Sequence, residues 1–141
     1  MLKSIIKTLQ DTGDLVKEKA GELNESAKEK IMSGIEDWIE ILPKIKALGF
    51  ETTAFGISMS ISPCLNVELK GKTADFTEEK IREYLEMFKA EKSLKLFLNV
   101  LKTTIVLHKK SKAELKEDIF VRIDVKLSPE IKVYIGQPSI L

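Results

Sequence analysis

Two segments of this chain, 66 residues apart, share one pattern of apolar and polar residues. Residues 57–69 read ISMSISPCLNVEL, and residues 123–135 read IDVKLSPEIKVYI. Strict alternation of apolar and polar residues is the period of a β-strand with one buried face. The Ser-Pro pair in the middle of each segment favours a tight turn. Each segment is therefore predicted to be a β-hairpin, and together they indicate an internal duplication.

The alternation also suggests how the strands pair. If a three-residue turn contains each Ser-Pro pair, Ile61 faces Leu65 and Leu127 faces Ile131. All apolar side chains of a hairpin then lie on one face, and a slip of one residue would turn them to water. We expect one four-stranded antiparallel sheet with a pseudo-twofold axis. Replacing Ile61 or Leu127 of this sheet by alanine should open a cavity in the core. The further predicted pairs are Met59 with Val67, Ile57 with Leu69, Val125 with Val133 and Ile123 with Ile135.

Two stretches between the hairpins have the period of a helix. The first follows Asp75 and Thr77, which are both suitable N-caps, and acidic residues occupy its first turn, where the helix dipole favours them. The second contains Leu94, Leu101 and Ile105, and it is apolar around so much of its circumference that we expect it to be covered on more than one side. The predicted order from residue 50 is β-β-α-α-β-β, an α+β domain with helices on one face of the sheet.

The N-terminal third of the chain has a different periodicity. Apolar or small residues recur every eleven positions, as at Ile5, Val16 and Trp38, and this period is close to that of a straight α-helix. We predict a long amphipathic helical arm over 1–34 and a stronger helix over 35–48, which begins the domain at 35–141. Breaks are expected at the glycines and at Pro43, because glycine lowers helix propensity and proline lacks a backbone donor.

Residues 16–30, with the sequence VKEKAGELNESAKEK, resemble the eleven-residue repeats of late-embryogenesis-abundant and apolipoprotein-like helices. The resemblance implies a helix that becomes ordered on a lipid surface or on another apolar partner. The alternative is an arm that packs on its own domain or on a second copy. Residues 1–34 contain six lysines and six acidic residues, so the polybasic face that attracts anionic lipids is absent.

The arm carries the candidate contact residues for a protein partner or a membrane surface. They are the apolar side chains of its first half, which are too numerous to be left singly in water on a free helix. We predict that removing residues 1–33 leaves the sheet domain folded and abolishes self-association or surface binding. The predicted contact residues are Leu2, Ile5, Ile6, Leu9 and Val16.

Composition limits the class of protein. The chain has 141 residues, of which 43% are hydrophobic, and a net charge of +1, so it can form a core and has no bulk attraction to nucleic acid. Its single cysteine, Cys64, excludes an intrachain disulfide, fits a reducing compartment and is expected to be exposed in a turn, where it could bridge two chains. No apolar run is long enough to span a membrane or to form a signal peptide. We predict a cytoplasmic protein.

Positive charge is concentrated between Lys89 and Lys116, where eight lysines accompany two glutamates. Within this segment, His108, Lys109, Lys110 and Lys112 are candidate contacts for an anion such as a phosphate group. The alternative is a solvated helix end. Nucleic acid is not expected as a partner, because no aromatic stacking set, zinc pattern or recognition helix accompanies the lysines.

Catalytic chemistry has little support in the sequence. His108 is the only histidine, which excludes the usual multi-histidine metal sites, and no glycine-rich phosphate loop or nucleophile motif is present. We expect no catalytic residues, no metal and no cofactor. The predicted function is non-catalytic binding or assembly through the arm. A carrier of a lipid-like ligand held between sheet and helices, and an anion or nucleic-acid binder, are the alternatives.

Overall fold

A computed structural model describes residues 25–59 and 62–138. In this part of the chain, three helices and a four-stranded antiparallel sheet form one α+β arrangement. The order β-β-α-α-β-β after residue 50 agrees with the prediction. The elements are α1 (Glu25–Ala47), β1 (Glu51–Met59), β2 (Pro63–Lys72), a 3-10 turn (Thr73–Asp75), α2 (Glu78–Met87), α3 (Lys92–Ser111), β3 (Asp118–Val125) and β4 (Glu130–Ile135).

Both hairpins pair four residues away from the predicted register. Ile57 lies opposite Leu65 instead of Leu69, and Ile123 lies opposite Ile131 instead of Ile135. The turn of the first hairpin precedes Pro63, which is the first residue of β2, a position where a strand tolerates proline. The predicted register was wrong in the same way twice, because a shift by an even number of residues keeps every side chain on its face.

The two hairpins are related by translation across the sheet. The strand order is β1-β2-β3-β4, so the equivalent strands β1 and β3 run parallel to each other, as do β2 and β4. The predicted pseudo-twofold axis is therefore wrong, because such an axis would exchange the two positions at the centre of the sheet. The pairs Ile57 with Leu65 and Ile123 with Ile131 are nevertheless equivalent positions of the sequence repeat. Its origin by duplication stays a prediction.

Two residues near the turns lie elsewhere than predicted. Leu127 is in the connection between β3 and β4 and is 56% exposed, so the expected cavity in Leu127→Ala does not apply. Cys64 is the second residue of β2, where it is half-buried, and it is not in a turn. The other predicted cavity residue, Ile61, lies outside the described residues.

Helix α1 is continuous through Gly34 and Pro43, the two expected breaks that lie within it. Gly34 faces the sheet, where an added Cβ would lie 3.6 Å from Cγ1 of Val125. Pro43 lies one turn before the helix ends at Ala47. Its missing backbone N–H therefore removes a single hydrogen bond near the end of the helix. Ile31 and Met32 are buried in the core, and the predicted boundary at residue 34 falls inside this helix. A truncation that keeps these two residues therefore has to end before α1 begins at Glu25, and not at residue 33.

Helix α2 begins at the predicted N-cap, and helix α3 buries the predicted apolar face. The Thr77 hydroxyl accepts a hydrogen bond from the Lys80 amide at 3.2 Å and caps α2. The inner face of α3 is buried at Leu94, Phe97, Leu98, Leu101 and Ile105.

The outer side of α3 is exposed at Leu96 and Leu107. In the described part of the chain, α3 contacts α1, α2 and β4, so several neighbours cover this helix, as expected, while a part of its circumference stays exposed.

The core is closed at one end by three aromatic rings. Phe50 stacks on Phe76 with a centroid distance of 4.4 Å and meets Phe97 edge to face at 5.4 Å. The Phe50 ring lies so close to β2 that a Cβ on Gly71 would come within 2.9 Å of it. At this end, Thr73 donates its amide to the Glu117 carbonyl and its hydroxyl to the Lys116 carbonyl. These contacts join β2 to the start of β3.

Candidate functional site

A β-bulge decides which side chains of β1 face the core. Thr52 lies opposite Leu69, Ala54 lies opposite Glu68, and Thr53 between them has no partner in the ladder. The Thr53 hydroxyl is 3.2 Å from the Glu68 carbonyl oxygen. Because one residue is inserted, the alternation after Thr53 is reversed.

After the bulge, three apolar side chains of β1 lie on the core face of the sheet. Phe55 is opposite Val67, Ile57 is opposite Leu65 and Met59 is opposite Pro63, and directly opposed residues of an antiparallel pair point to the same face. Yet Phe55 is 57% exposed, Ile57 is 37% exposed and Met59 is half-buried. We call Phe55, Ile57 and Met59 the β1 strip.

The strip is exposed because the helices pack over the other strands. Helix α1 contacts β2 and β3, and α3 contacts β4. A helix is about 10 Å wide and strands are about 4.8 Å apart, so one helix covers roughly two strands. Within residues 25–59 and 62–138, the two helices lie over β2, β3 and β4 and do not cover the inner face of β1.

The backbone edge of β1 is also open. β1 ends the sheet on one side, and no other strand in the described ranges pairs with its outer edge. Between Thr52 and Met59 the strand has no charged residue and no proline. Edge strands usually avoid association by means of lysines, prolines, bulges or short length. In β1 the charged Glu51 and the bulge at Thr53 lie in the first half of the strand, and residues 55–59 contain no lysine, proline or bulge.

The opposite edge strand, β4, is better protected. It has six residues and carries Glu130 and Lys132. Lys132 Nζ lies 3.2 Å from one oxygen of the Glu130 carboxylate, and Lys126 Nζ lies 3.3 Å from the other. The hydrogen bond from Lys132 and then that from Lys126 lower the pKa of Glu130. The inner side chains of β4 pack against the core.

The outer face of the sheet is polar apart from Phe120 and Tyr134, and it has small residues at the β1 edge. An added Cβ on Gly56 would meet no atom within 4 Å, and the Asn66 amide donates to the Ser58 hydroxyl at 2.9 Å. Burial on this face, followed by the nearby Asp124 carboxylate, raises the pKa of the Cys64 thiol. A thiol that stays protonated is a poor nucleophile and metal ligand.

A second apolar region lies at the far end of the helices. A cavity of about 290 Å³ opens between the C-terminus of α3, the loop after it and the end of β4. Apolar side chains form most of its wall, and His108 and Lys109 stand beside them. Its lining includes Phe76, Ile105, Leu115 and Ile135.

The predicted anion contacts gather at this same helix end. His108 is half-buried, and Lys109, Lys110 and Lys112 are exposed. Lys112 ends the helix with a left-handed φ of 59°. The Lys109 ammonium donates to Glu78 at 2.9 Å, and this hydrogen bond is the main cause of the lowered pKa of the Glu78 carboxyl. The negative end of the α3 helix dipole opposes an anion here.

The predicted arm contacts Leu2, Ile5, Ile6, Leu9 and Val16 lie outside the described residues. Among residues 25–59 and 62–138, no group of three or more acidic, histidine or cysteine side chains is placed to hold a metal ion. In the same ranges, no helix is both long enough and apolar enough to cross a membrane.

The sequence predictions missed the β1 strip as a contact surface. They placed Ile57 and Met59 correctly on the apolar face of a hairpin but assumed that this face would be covered. The signal that distinguishes β1 is its lack of charge from residue 52 to residue 59, which is typical of a strand meant to be covered or paired.

No protein-family model, curated protein or solved structure matches this chain.

Proposed function

We propose that this chain is a non-catalytic assembly protein that associates with copies of itself through the open side of β1. The observation that carries this proposal is the β1 strip, an apolar row on the core face of the sheet that is left in water beside an unpaired backbone edge. Exposed apolar surface next to free backbone donors and acceptors favours association with another chain.

The predicted arm fits this function as a second contact element. Residues 1–24 directly precede α1 and contain the apolar residues named above. An arm of this kind can add apolar surface to the strip of the same chain or of a second copy. A protein partner or a membrane surface is the other occupant that its amphipathic pattern allows.

Two lysine substitutions at matched exposure test the proposal. Phe55 in β1 is 57% exposed and Leu107 in α3 is 59% exposed, so neither change disturbs the core. Phe55→Lys should convert an assembly to single chains in sedimentation velocity, because it places a charge on the contact surface. Leu107→Lys should keep the mass of the unmodified chain.

A chain without residues 1–24 completes this experiment. It should still unfold cooperatively in a thermal melt followed by circular dichroism, because Ile31 and the rest of the α1 core face remain. If its mass falls while Phe55→Lys has no effect, the arm is the contact surface and the strip is not. An unmodified chain that sediments as a single species of one chain at all concentrations would contradict self-assembly.

The cavity favours a carrier as the second candidate function. With a volume of about 290 Å³ it lies at the small end of the range for ligand sites, and its lining suits a short, mostly apolar molecule with one polar end. Failure of medium-chain fatty acids to bind in calorimetry would count against it. We do not extend the proposal to anions, because Glu78 already pairs with Lys109.

A further inference from the structure

The regular part of β1 is short and has two distinct faces. Residues 55–59 follow the bulge at Thr53 and precede the turn. Within them, Phe55, Ile57 and Met59 lie on the inner face, while Gly56 and Ser58 lie on the outer face. A strand added at this edge would therefore meet large apolar side chains on one side and small ones on the other.

We propose that two copies of the chain pair antiparallel through residues 55–59 of β1, centred on Ile57, so that the two sheets continue as one of eight strands. The inference rests on the proposed function and specifies its geometry. Ile57 then lies opposite Ile57 of the second copy, and Phe55 lies opposite Met59 of the second copy. A twofold axis perpendicular to the sheet passes between the two isoleucines.

This register is selected by the limits of the regular segment. Moving the centre to Gly56 would place Met59 opposite the bulged Thr53 of the second copy, and moving it to Ser58 would leave Phe55 opposite the turn. Only the register centred on Ile57 gives all three inner side chains of each copy an apolar partner. It also pairs Gly56 with Ser58 on the outer face, where neither is bulky.

Charge favours this edge over the other exposed surfaces of the described chain. From Thr52 to Met59, β1 carries no charge that a second copy would repel. β4 presents Glu130 and Lys132 at its edge, and these two are already paired with each other. The exposed side of α3 has lysines beside its apolar residues, including Lys95 and Lys102, which would face the same lysines of a second copy.

Cysteine crosslinking tests the register directly. The chain has a single cysteine, so Cys64→Ser provides a background without thiols. Directly opposed residues have Cα atoms about 4.5–5.5 Å apart, which is within the range of a disulfide. Ile57→Cys in this background should form a covalent dimer on mild oxidation, seen on a non-reducing gel.

Two single substitutions serve as controls. Phe55→Cys should not crosslink to itself, because the two copies of residue 55 would be four residues apart, about 13 Å along the strand. Lys132→Cys, on the opposite edge strand, should not crosslink either. Ile57→Cys removes a side chain of the proposed contact, so a second variant that keeps Ile57 is needed. The double variant Phe55→Cys/Met59→Cys should give the same dimer with two disulfides.

The outcomes separate this inference from the proposed function. If the chain assembles but Phe55→Cys crosslinks and Ile57→Cys does not, the register is wrong and assembly through β1 stands. Crosslinking of Lys132→Cys alone would overturn β1 as the interface. A chain that sediments as a monomer and yields no crosslinked product would overturn both the register and self-assembly.

Discussion

Strands β1 and β3 have equivalent positions in the sequence repeat and opposite burial. Ile57 and Ile123 occupy the same place in their hairpins, and each lies opposite an apolar residue at equivalent register. Ile57 is 37% exposed, whereas Ile123 is 1% exposed. β3 lies between β2 and β4 under the helices, while β1 forms the edge of the sheet.

The difference shows that alternation of apolar and polar residues specifies which face of a strand is apolar, but not whether other elements cover that face. Both strands direct their apolar residues to the same side of the sheet. Whether that side is buried depends on how many strands the helices span, which is a property of the whole layer. An exposed strand with the pattern of a buried one is therefore a candidate for a contact with something outside the domain.

Alanine substitutions at the two equivalent isoleucines should show the largest difference in stability between β1 and β3. Ile123→Ala should lower the free energy of unfolding by about 2–5 kcal/mol, because it leaves a cavity in a packed core. Ile57→Ala should cost less than about 1 kcal/mol at low protein concentration, since solvent already reaches that side chain. Urea unfolding followed by circular dichroism measures both, and equal losses would show that β1 is buried in solution.

Two glycines in adjacent strands should give a smaller but similar contrast. Gly71→Ala places a Cβ within 2.9 Å of the Phe50 ring, which Phe76 and Phe97 hold in place. Overpacking of this kind costs about 1–3 kcal/mol. Gly56→Ala meets no atom within 4 Å and should change stability by no more than about 0.5 kcal/mol. A thermal melt of each variant would decide it, and a destabilised Gly56→Ala would contradict an open outer face at β1.

The smallest expected effect comes from the charges that β4 has and β1 lacks. Hydrogen bonds from Lys132 and Lys126 lower the pKa of Glu130 in the folded chain. Its contribution to stability is therefore complete above the ordinary glutamate pKa of about 4.3, and it is lost as the pH falls through the lower folded pKa.

Between pH 5 and 3, the midpoint of thermal unfolding should fall less in Glu130→Gln than in the unmodified chain. The difference should be small and should shrink in salt, because these groups are exposed. An unaltered acid profile at low salt would show that the pair does not form in solution.

Much of the fold was accessible from local patterns. The capping role of Thr77, the buried face of α3 from Leu94 to Ile105 and the two hairpins agree with the predictions. Each depends on neighbours within a few residues, where side-chain period and backbone capping act directly. The aromatic cluster at the end of β2 was not predicted, because Phe50, Gly71 and Phe97 come from separate parts of the chain.

The strand register shows where local reasoning stopped. Pairing Ile57 with Leu69 and pairing it with Leu65 place the same side chains on the same face, so the hydrophobic pattern cannot distinguish these registers. The position of the turn does distinguish them, and it placed Pro63 at the start of β2. The helix predicted over 35–48 agrees with the second half of α1. The break expected at Pro43 is absent, because packing of residues such as Ile35, Trp38 and Ile45 in the core outweighs it.

The sequence by itself determined which residues form helices and hairpins and which side of each is apolar, because period, capping and turn chemistry act over a few residues. The tertiary structure decided the register, the translational relation of the hairpins and the exposure of the β1 strip. These depend on strand order and on the width of the helical layer over the sheet, which involve residues distant in the chain. The candidate contact surface belongs to this second group: Phe55 and Ile57 have the pattern of core residues, and only the position of β1 at the edge leaves them in water.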